Sequence, residues 1–406
     1  MTAAARAALG YRDFRLFLAL RFCANIAQLI QIVAVGWQVY DLTRRPQDLG
    51  YVGLVLFLPQ ILLALVSGAV ADHFDRRRIA MLCLGLEALS SAMLLALSWR
   101  GLTAVAPVYL ALTLFGVARS FLGPALQSVV PLLVRREDFP NAVAWNSTVW
   151  QMAVIGGPAL GGFLYALGPV AVYGLTTLLL LGSALAALLL RTSLKTRGAD
   201  DAMIDRLTAG IRFILARPVI LGAISLDLFA VLFGGATALL PIFARDILHV
   251  GPWGLGLLRS APAVGAALCG LLLAHRPLRR RAGLVLLLCV AGFGLATILF
   301  GLSRSMPLSL AALAALGGFD MISVYVRQNL VQLSTPDAMR GRVSAVSMVF
   351  VGASNELGEF ESGMTAAWFG TVPAVLLGGL GTLAVVALWT WRFKALRRAD
   401  RLDEAG

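Results

Sequence analysis

Apolar runs of bilayer length recur from one end of this chain to the other, and nothing else in the sequence restricts the fold as much. They fall at approximately 14–40, 49–72, 78–98, 103–130, 142–166, 169–190, 218–243, 252–274, 283–302, 307–333, 342–366 and 372–391. A bilayer crossing takes roughly 20 apolar residues at about 1.5 Å rise each, so every run is long enough to span. Lipid offers no hydrogen-bond partners, which leaves helices or closed barrels as spanning structures. The runs show no strand-like alternation, so the expected fold is all-α and polytopic. It has twelve transmembrane helices in two pseudo-symmetric six-helix bundles.

Composition agrees with this reading. Of 406 residues, 59% are hydrophobic and 14% charged, too few charges to cover a soluble protein of this size. The first run exceeds a signal-peptide core and carries Arg21, Asn25, Gln28 and Gln31, so no cleavable leader is expected. Cys23, Cys83, Cys269 and Cys289 lie in spans without metal-ligand spacing and read as packing residues. No G-x-x-x-x-G-K-[ST] motif occurs, which argues against ATP-driven transport. No Ser/His/Asp or metal constellation suggests an enzyme, and neither a cofactor nor a metal is expected; His73, His249 and His275 fall at loop ends.

A formal net charge of +13 would suit nucleic acid, but its distribution is topological. Arg44, Arg45, Arg100, Arg245 and Arg304 fall in one set of loops, and Arg21, Arg119, Arg259 and Arg327 within spans. The remaining 25 of 34 Lys and Arg lie in the loops, termini and span ends of the opposite side, with clusters at Arg76–Arg78 and at Arg276 and Arg279–Arg281. By the positive-inside rule that side is the cytoplasm, and it holds both termini. The expected location is a bacterial inner membrane, and the expected partners are lipid, protons and a small-molecule substrate, with no nucleic acid. A monomer is expected.

The chain divides into a bundle at 1–190, a cytoplasmic linker at 191–217, and a second bundle with a basic tail at 218–406. In the linker Met203, Leu207, Ile211 and Ile214 recur at helical spacing with Arg206 and Arg212 between them. This reads as an amphipathic surface helix, with a plain solvated linker as the alternative. The halves correspond: Gly68 and Asp72 after span two match Gly270 and Ala274 after span eight, and Asn25 matches Asp227. Parallel repeats of this kind hold substrate near the membrane midplane.

Three stretches resemble the major facilitator superfamily. GAVADHFDRRR is similar to its loop signature G-x-x-x-D-R-x-G-R-R/K through Gly68, Asp72, Arg76 and Arg77, with His73 and Asp75 as departures. RSFLG, beginning at Arg119, resembles the span-four Arg-x-x-x-Gly element of proton-coupled members. GGPALGG, with Gly157, Pro158, Gly161 and Gly162, looks like the span-five motif of antiporters. YRDFRLFLALRF, GIRFILARPVI and TPDAMRGRVSAV resemble the bacterial efflux branch that includes the enterobactin exporter and macrolide efflux proteins. The resemblance implies a cytoplasmic gate latched by the loop cluster. It also implies a central cavity lined by spans one, four, seven and ten.

On that basis Arg21, Asn25, Gln28, Arg119 and Arg327 are candidate cavity residues, the first three sharing one face of span one. Asp227 and Asp320, near the middle of their spans, are candidate proton-coupling groups, with Arg327 two turns from Asp320 as its expected partner. Glu87 reads as a local polar contact. The stretch GASNELGEFESGM places Glu356, Glu359 and Glu361 within one span, with Arg259 as the buried candidate partner. Three readings stay open for the trio: a proton relay, a cation or cationic-substrate site, or a hydrogen-bonded knot closing the outer gate. The expected function is proton-coupled export of a siderophore-like or drug-like molecule. The alternatives are uptake or lysolipid flipping by the same fold, or a membrane sensor that does not transport.

Overall fold

The computed structural model describes residues 3–127, 129–192, 203–276, 278 and 281–399. Its helices are α1 (Arg12–Thr43), α2 (Pro46–His73), α3 (Arg76–Trp99), α4 (Ala106–Gln127), α5 (Val130–Leu133), α6 (Phe139–Tyr165) and α7 (Pro169–Leu189). The linker helix α8 (Met203–Ala216) follows. After it come α9 (Pro218–Phe233), α10 (Leu240–Ile242), α11 (Gly251–His275), α12 (Ala282–Leu302), α13 (Met306–Leu333), α14 (Asp337–Phe369), α15 (Thr371–Arg392) and α16 (Lys394–Arg398). No strand occurs among the described residues.

Local chemistry sets many of the boundaries. Proline opens α7, α9, α11 and α13 within their first two positions, where its missing N–H costs nothing. Gly168 at φ 104° and Gly370 at φ 91° turn the chain into α7 and α15. Asp75, the departure from the loop signature, caps α3: its Oδ1 accepts the Arg77 backbone N–H at 3.0 Å.

Ten of the helical segments are long and apolar enough to cross a membrane by length and composition. Two others, α6 and α14, are 27 and 33 residues long, which suffices for length, but they carry more polar residues. They are the fifth and eleventh spans, the same position in each half. Leu62, Leu178, Leu271 and Leu272 are more than 60% exposed, as expected for side chains facing lipid.

The chain forms two compact units, one of residues 1–44 and 55–200, the other of 45–54 and 201–406. In the first, α1 packs on α6 and α7, and α3 on α4 and α7. In the second, α9 packs on α14 and α15, and α12 on α13 and α15, so corresponding spans make corresponding pairs. Phe14, Phe17, Leu20, Leu84 and Leu180 are fully buried in the first unit, and Leu226, Leu286 and Leu330 in the second.

Two features differ in detail from the sequence reading. The seventh span is broken: α9 stops at Phe233, Gly234 and Gly235 interrupt it, and a 3-10 turn (Ala236–Leu239), α10 and a π turn (Phe243–Ile247) continue it. The linker helix does form, but its packing face is defined by Gly210 and Ile214. A Cβ on Gly210 would lie 2.8 Å from the Arg342 carbonyl oxygen of α14. Ile211 is 40% exposed, while the side chains of Met203, Arg206 and Leu207 lie outside the described residues.

Candidate functional site

Two close approaches position the charged side chains of the second unit. At the break after α9, a Cβ on Gly235 would sit 2.3 Å from the Gly358 carbonyl oxygen of α14, so only glycine lets the two backbones pass. Between α11 and α13, a Cβ on Gly317 would be 1.9 Å from the Pro262 oxygen, and one on Gly265 1.8 Å from the Ala314 oxygen. On α13, Asp320, Ser323 and Arg327 recur at helical spacing and share one face.

On that face Arg327 Nη2 lies 3.1 Å from Asp227 Oδ2 of α9, and the two residues are 4% and 5% exposed. Arg327 therefore pairs with Asp227, not with the expected Asp320. Seven residues of helix rise separate Arg327 from Asp320 by about 10.5 Å, whereas the neighbouring helix presents a carboxylate directly. Asp320 stays beside the pair. With Asp227, Ser323, Ala230, Val231, Val290 and Phe293 it lines a cavity leaving about 10 Å³ for the centre of a water molecule. That is room for about one water. Ser323 Oγ and Arg327 Nε have no hydrogen-bond partner among the described residues.

The glutamates of α14 separate into different environments. Glu359 Oε1 lies 3.6 Å from Arg259 Nη2 of α11, both side chains partly exposed. The start of α2, part of this unit, rests on the same stretch: a Cβ on Gly53 would meet the Glu359 Cβ at 3.2 Å. Tyr51 and Phe360 are in ring contact there, with centroids 6.2 Å apart. Glu361 instead accepts a hydrogen bond from Thr365 Oγ1 of its own helix at 2.8 Å. Glu356, one turn before Glu359, is half-buried.

The first unit holds the other cavity candidates. Gln28 Nε2 donates to both carboxyl oxygens of Glu87 on α3, each at 3.2 Å. Arg21 Nε and Asn25 Nδ2, on the same face of α1, are buried without partners among the described residues. Arg119 on α4 is half-buried. In the loop signature, Arg77 Nη2 donates to the Leu188 carbonyl at the end of α7, joining two helices of this unit. Arg76 is buried and Gly68 half-buried, while the side chain of Asp72 lies outside the described residues. On α6, Gly157 and Gly161 press on α1: a Cβ would lie 2.7 Å from the Leu29 Cβ and 2.9 Å from the Ile30 oxygen respectively. Pro158 and Gly162 are buried beside them.

Glu87 reads from the sequence as a local polar contact, and Gln28 supplies that contact. Two features escaped the sequence reading. The Gly234–Gly235 pair was a legible helix breaker. Ser323 carried no signal, because a serine in a membrane helix is common.

Twelve helical segments of bilayer length among the described residues, in two units with repeated pairings and a buried ion pair between spans seven and ten, define an all-α polytopic membrane protein. The profile of the transmembrane secretion effector family matches residues 3–405, and the chain belongs to that family, within the major facilitator superfamily. It is 27% identical over 375 residues to the enterobactin exporter EntS of Shigella dysenteriae serotype 1 (strain Sd197), covering 91% of this chain and 85% of the relative. It is 28% identical to EntS of Escherichia coli O1:K1 / APEC over the same shares. Among solved structures, a mutant of the nucleoside transporter NupG superimposes with a TM-score of 0.73 at 15% identity, covering 94% of this chain and 100% of that one. At that identity the likeness concerns the fold alone. The relatives and the family make the chain an exporter.

Proposed function

We propose that this exporter is driven by protons and expels a small organic molecule, siderophore-like or drug-like, by alternating access. The carrying observation is the buried Asp227–Arg327 pair together with the water-sized cavity that Asp227 and Asp320 both line. One guanidinium faces two carboxyl groups, so full ionisation leaves an odd negative charge in a low-dielectric interior. A single proton removes it. When Arg327 holds Asp227, Asp320 is the group that takes the proton, and a shift of Arg327 between the two carboxyls would link proton binding to helix movement. Such coupling needs only a few kcal/mol of differential binding to shift the populations of two states.

The partly exposed Arg259–Glu359 pair favours outer-gate closure among the readings open for the α14 glutamates, with Glu356 and Glu361 as relay candidates. The loop cluster of Gly68, Asp72, Arg76 and Arg77 is the matching cytoplasmic gate. Arg21, Asn25 and Arg119 supply unpartnered or half-buried polar groups for substrate. We place the carrier in the bacterial inner membrane with both termini cytoplasmic, as its loop charges suggest, and take it to work as a monomer with no nucleic-acid partner.

The test is reconstitution in liposomes under an imposed pH gradient, with enterobactin first, then other siderophores, cationic drugs and lysolipids. The wild type should accumulate its substrate against a concentration difference, and Asp320→Asn should lower gradient-driven accumulation. Unchanged accumulation in both Asp227→Asn and Asp320→Asn would remove this centre from coupling. Transport of lysolipid alone, indifferent to the gradient, would favour a flippase.

A further inference from the structure

Glu87 has no part in the scheme above. It sits in the middle of α3, 0% exposed, and both of its oxygens accept from one neutral amide, Gln28 of α1. The elements packed around it supply few other charges. Along α1, Asn25 and Arg21 continue the Gln28 face, and from α4 Glu87 feels the charge of Arg119. No ion pair closes on Glu87 among the described residues. From α7 come no ionic groups; its Tyr173 donates to Gln38, and its Thr176 is bonded to Ser91. On α3 itself, Cys83 lies one turn away.

A fixed negative charge without an ion pair costs several kcal/mol in such a place. A structural hydrogen bond alone would need no acid. The amide, however, can serve either form of the acid. Its Nε2–H₂ donates to an ionised carboxylate, and its Oε1 accepts from a protonated carboxyl. The buried, unpartnered Asn25 Nδ2 and Arg21 Nε extend this polar face along α1; such groups call for partners from water or substrate.

We infer that Glu87 is a second proton-binding site of this carrier, inside the first unit, with Gln28 as hydrogen-bond partner of both its states. It accepts one proton from water on the outer side and returns one to water on the cytoplasmic side in each cycle. This rests on the proton-coupled reading above and adds to its stoichiometry. A pH difference of one unit is worth about 1.4 kcal/mol per coupled proton, so each such proton multiplies the limiting accumulation ratio about tenfold.

The experiment measures that limiting ratio for enterobactin in proteoliposomes with wild type, Glu87→Gln and Asp320→Asn, together with infrared spectra of the purified proteins across a pH series. Glu87→Gln should lower the ratio about tenfold for each unit of imposed gradient, a thermodynamic change that slower turnover does not produce. It should also delete one pH-responsive carboxyl band that Asp320→Asn retains. A flat wild-type ratio would overturn the proton-coupled reading itself. A steep wild-type ratio left unchanged by Glu87→Gln would overturn only this inference, as would a Glu87 band that does not respond to pH. If Glu87→Gln fails to fold, Gln28→Leu leaves the carboxyl in place without its amide. The pH response of its band must then move, and a stationary band overturns the inference.

Discussion

Arg327 is the residue on which the second unit's charges depend. With Asp227 it forms an almost fully buried pair, and removing Arg327 leaves the Asp227 carboxylate uncompensated. Arg327→Gln is therefore expected to destabilise the protein by about 3–5 kcal/mol, and the double variant Asp227→Asn/Arg327→Gln to recover most of the loss. Thermal unfolding in detergent, followed by tryptophan fluorescence, reads both. The Arg259–Glu359 pair is longer and partly exposed, so Glu359→Gln should change stability by no more than about 1 kcal/mol. A loss of transport by that variant would then be functional, not a folding defect. Asp227 and Asp320 were legible in the sequence because an acid in an apolar run stands out on cost alone. Their partner was not, since spacing along α13 pointed Arg327 to Asp320, and the choice between two carboxylates depends on which helix lies alongside. Glu87 was legible as a local polar contact, but its complete burial and the identity of its partner Gln28 are properties of α1 and α3 packed together.

At the scale of elements, small residues decide where helices meet. α11 and α13 approach so closely at Gly265 and Gly317 that a methyl group there would overlap a backbone oxygen. Gly265→Ala should destabilise by at least about 1–3 kcal/mol through overpacking. Gly352→Ala on α14 meets nothing within 4 Å and should be neutral or stabilising by up to about 1 kcal/mol, through helix propensity. Unfolding temperatures of the two variants against wild type check the contrast. The same logic explains the broken seventh span. Its apolar run is continuous, but Gly235 must pass the Gly358 backbone, and the helix yields there. Apolar length marks a span reliably, whereas a local interruption depends on a contact from a distant helix.

At the scale of the whole molecule, the asymmetry of Lys and Arg makes a topological prediction. Reporter fusions in the loop near Gly101 and in the loop near Arg304 should report a periplasmic location, and a fusion at the C-terminus a cytoplasmic one. A cytoplasmic signal from both loops would reverse the orientation. Span number, span length and the repetition of the halves could be read directly from the order of residues. In lipid every helix must satisfy its own backbone, so these are local properties that no tertiary partner needs to supply. The start of α2 joining the second unit's packing, the pairing of Arg327 with Asp227 and the bonding of Glu87 by Gln28 could not be read in that way. They depend on backbone approaches of a few ångströms between helices far apart in the chain, and such distances exist only once the helices have packed.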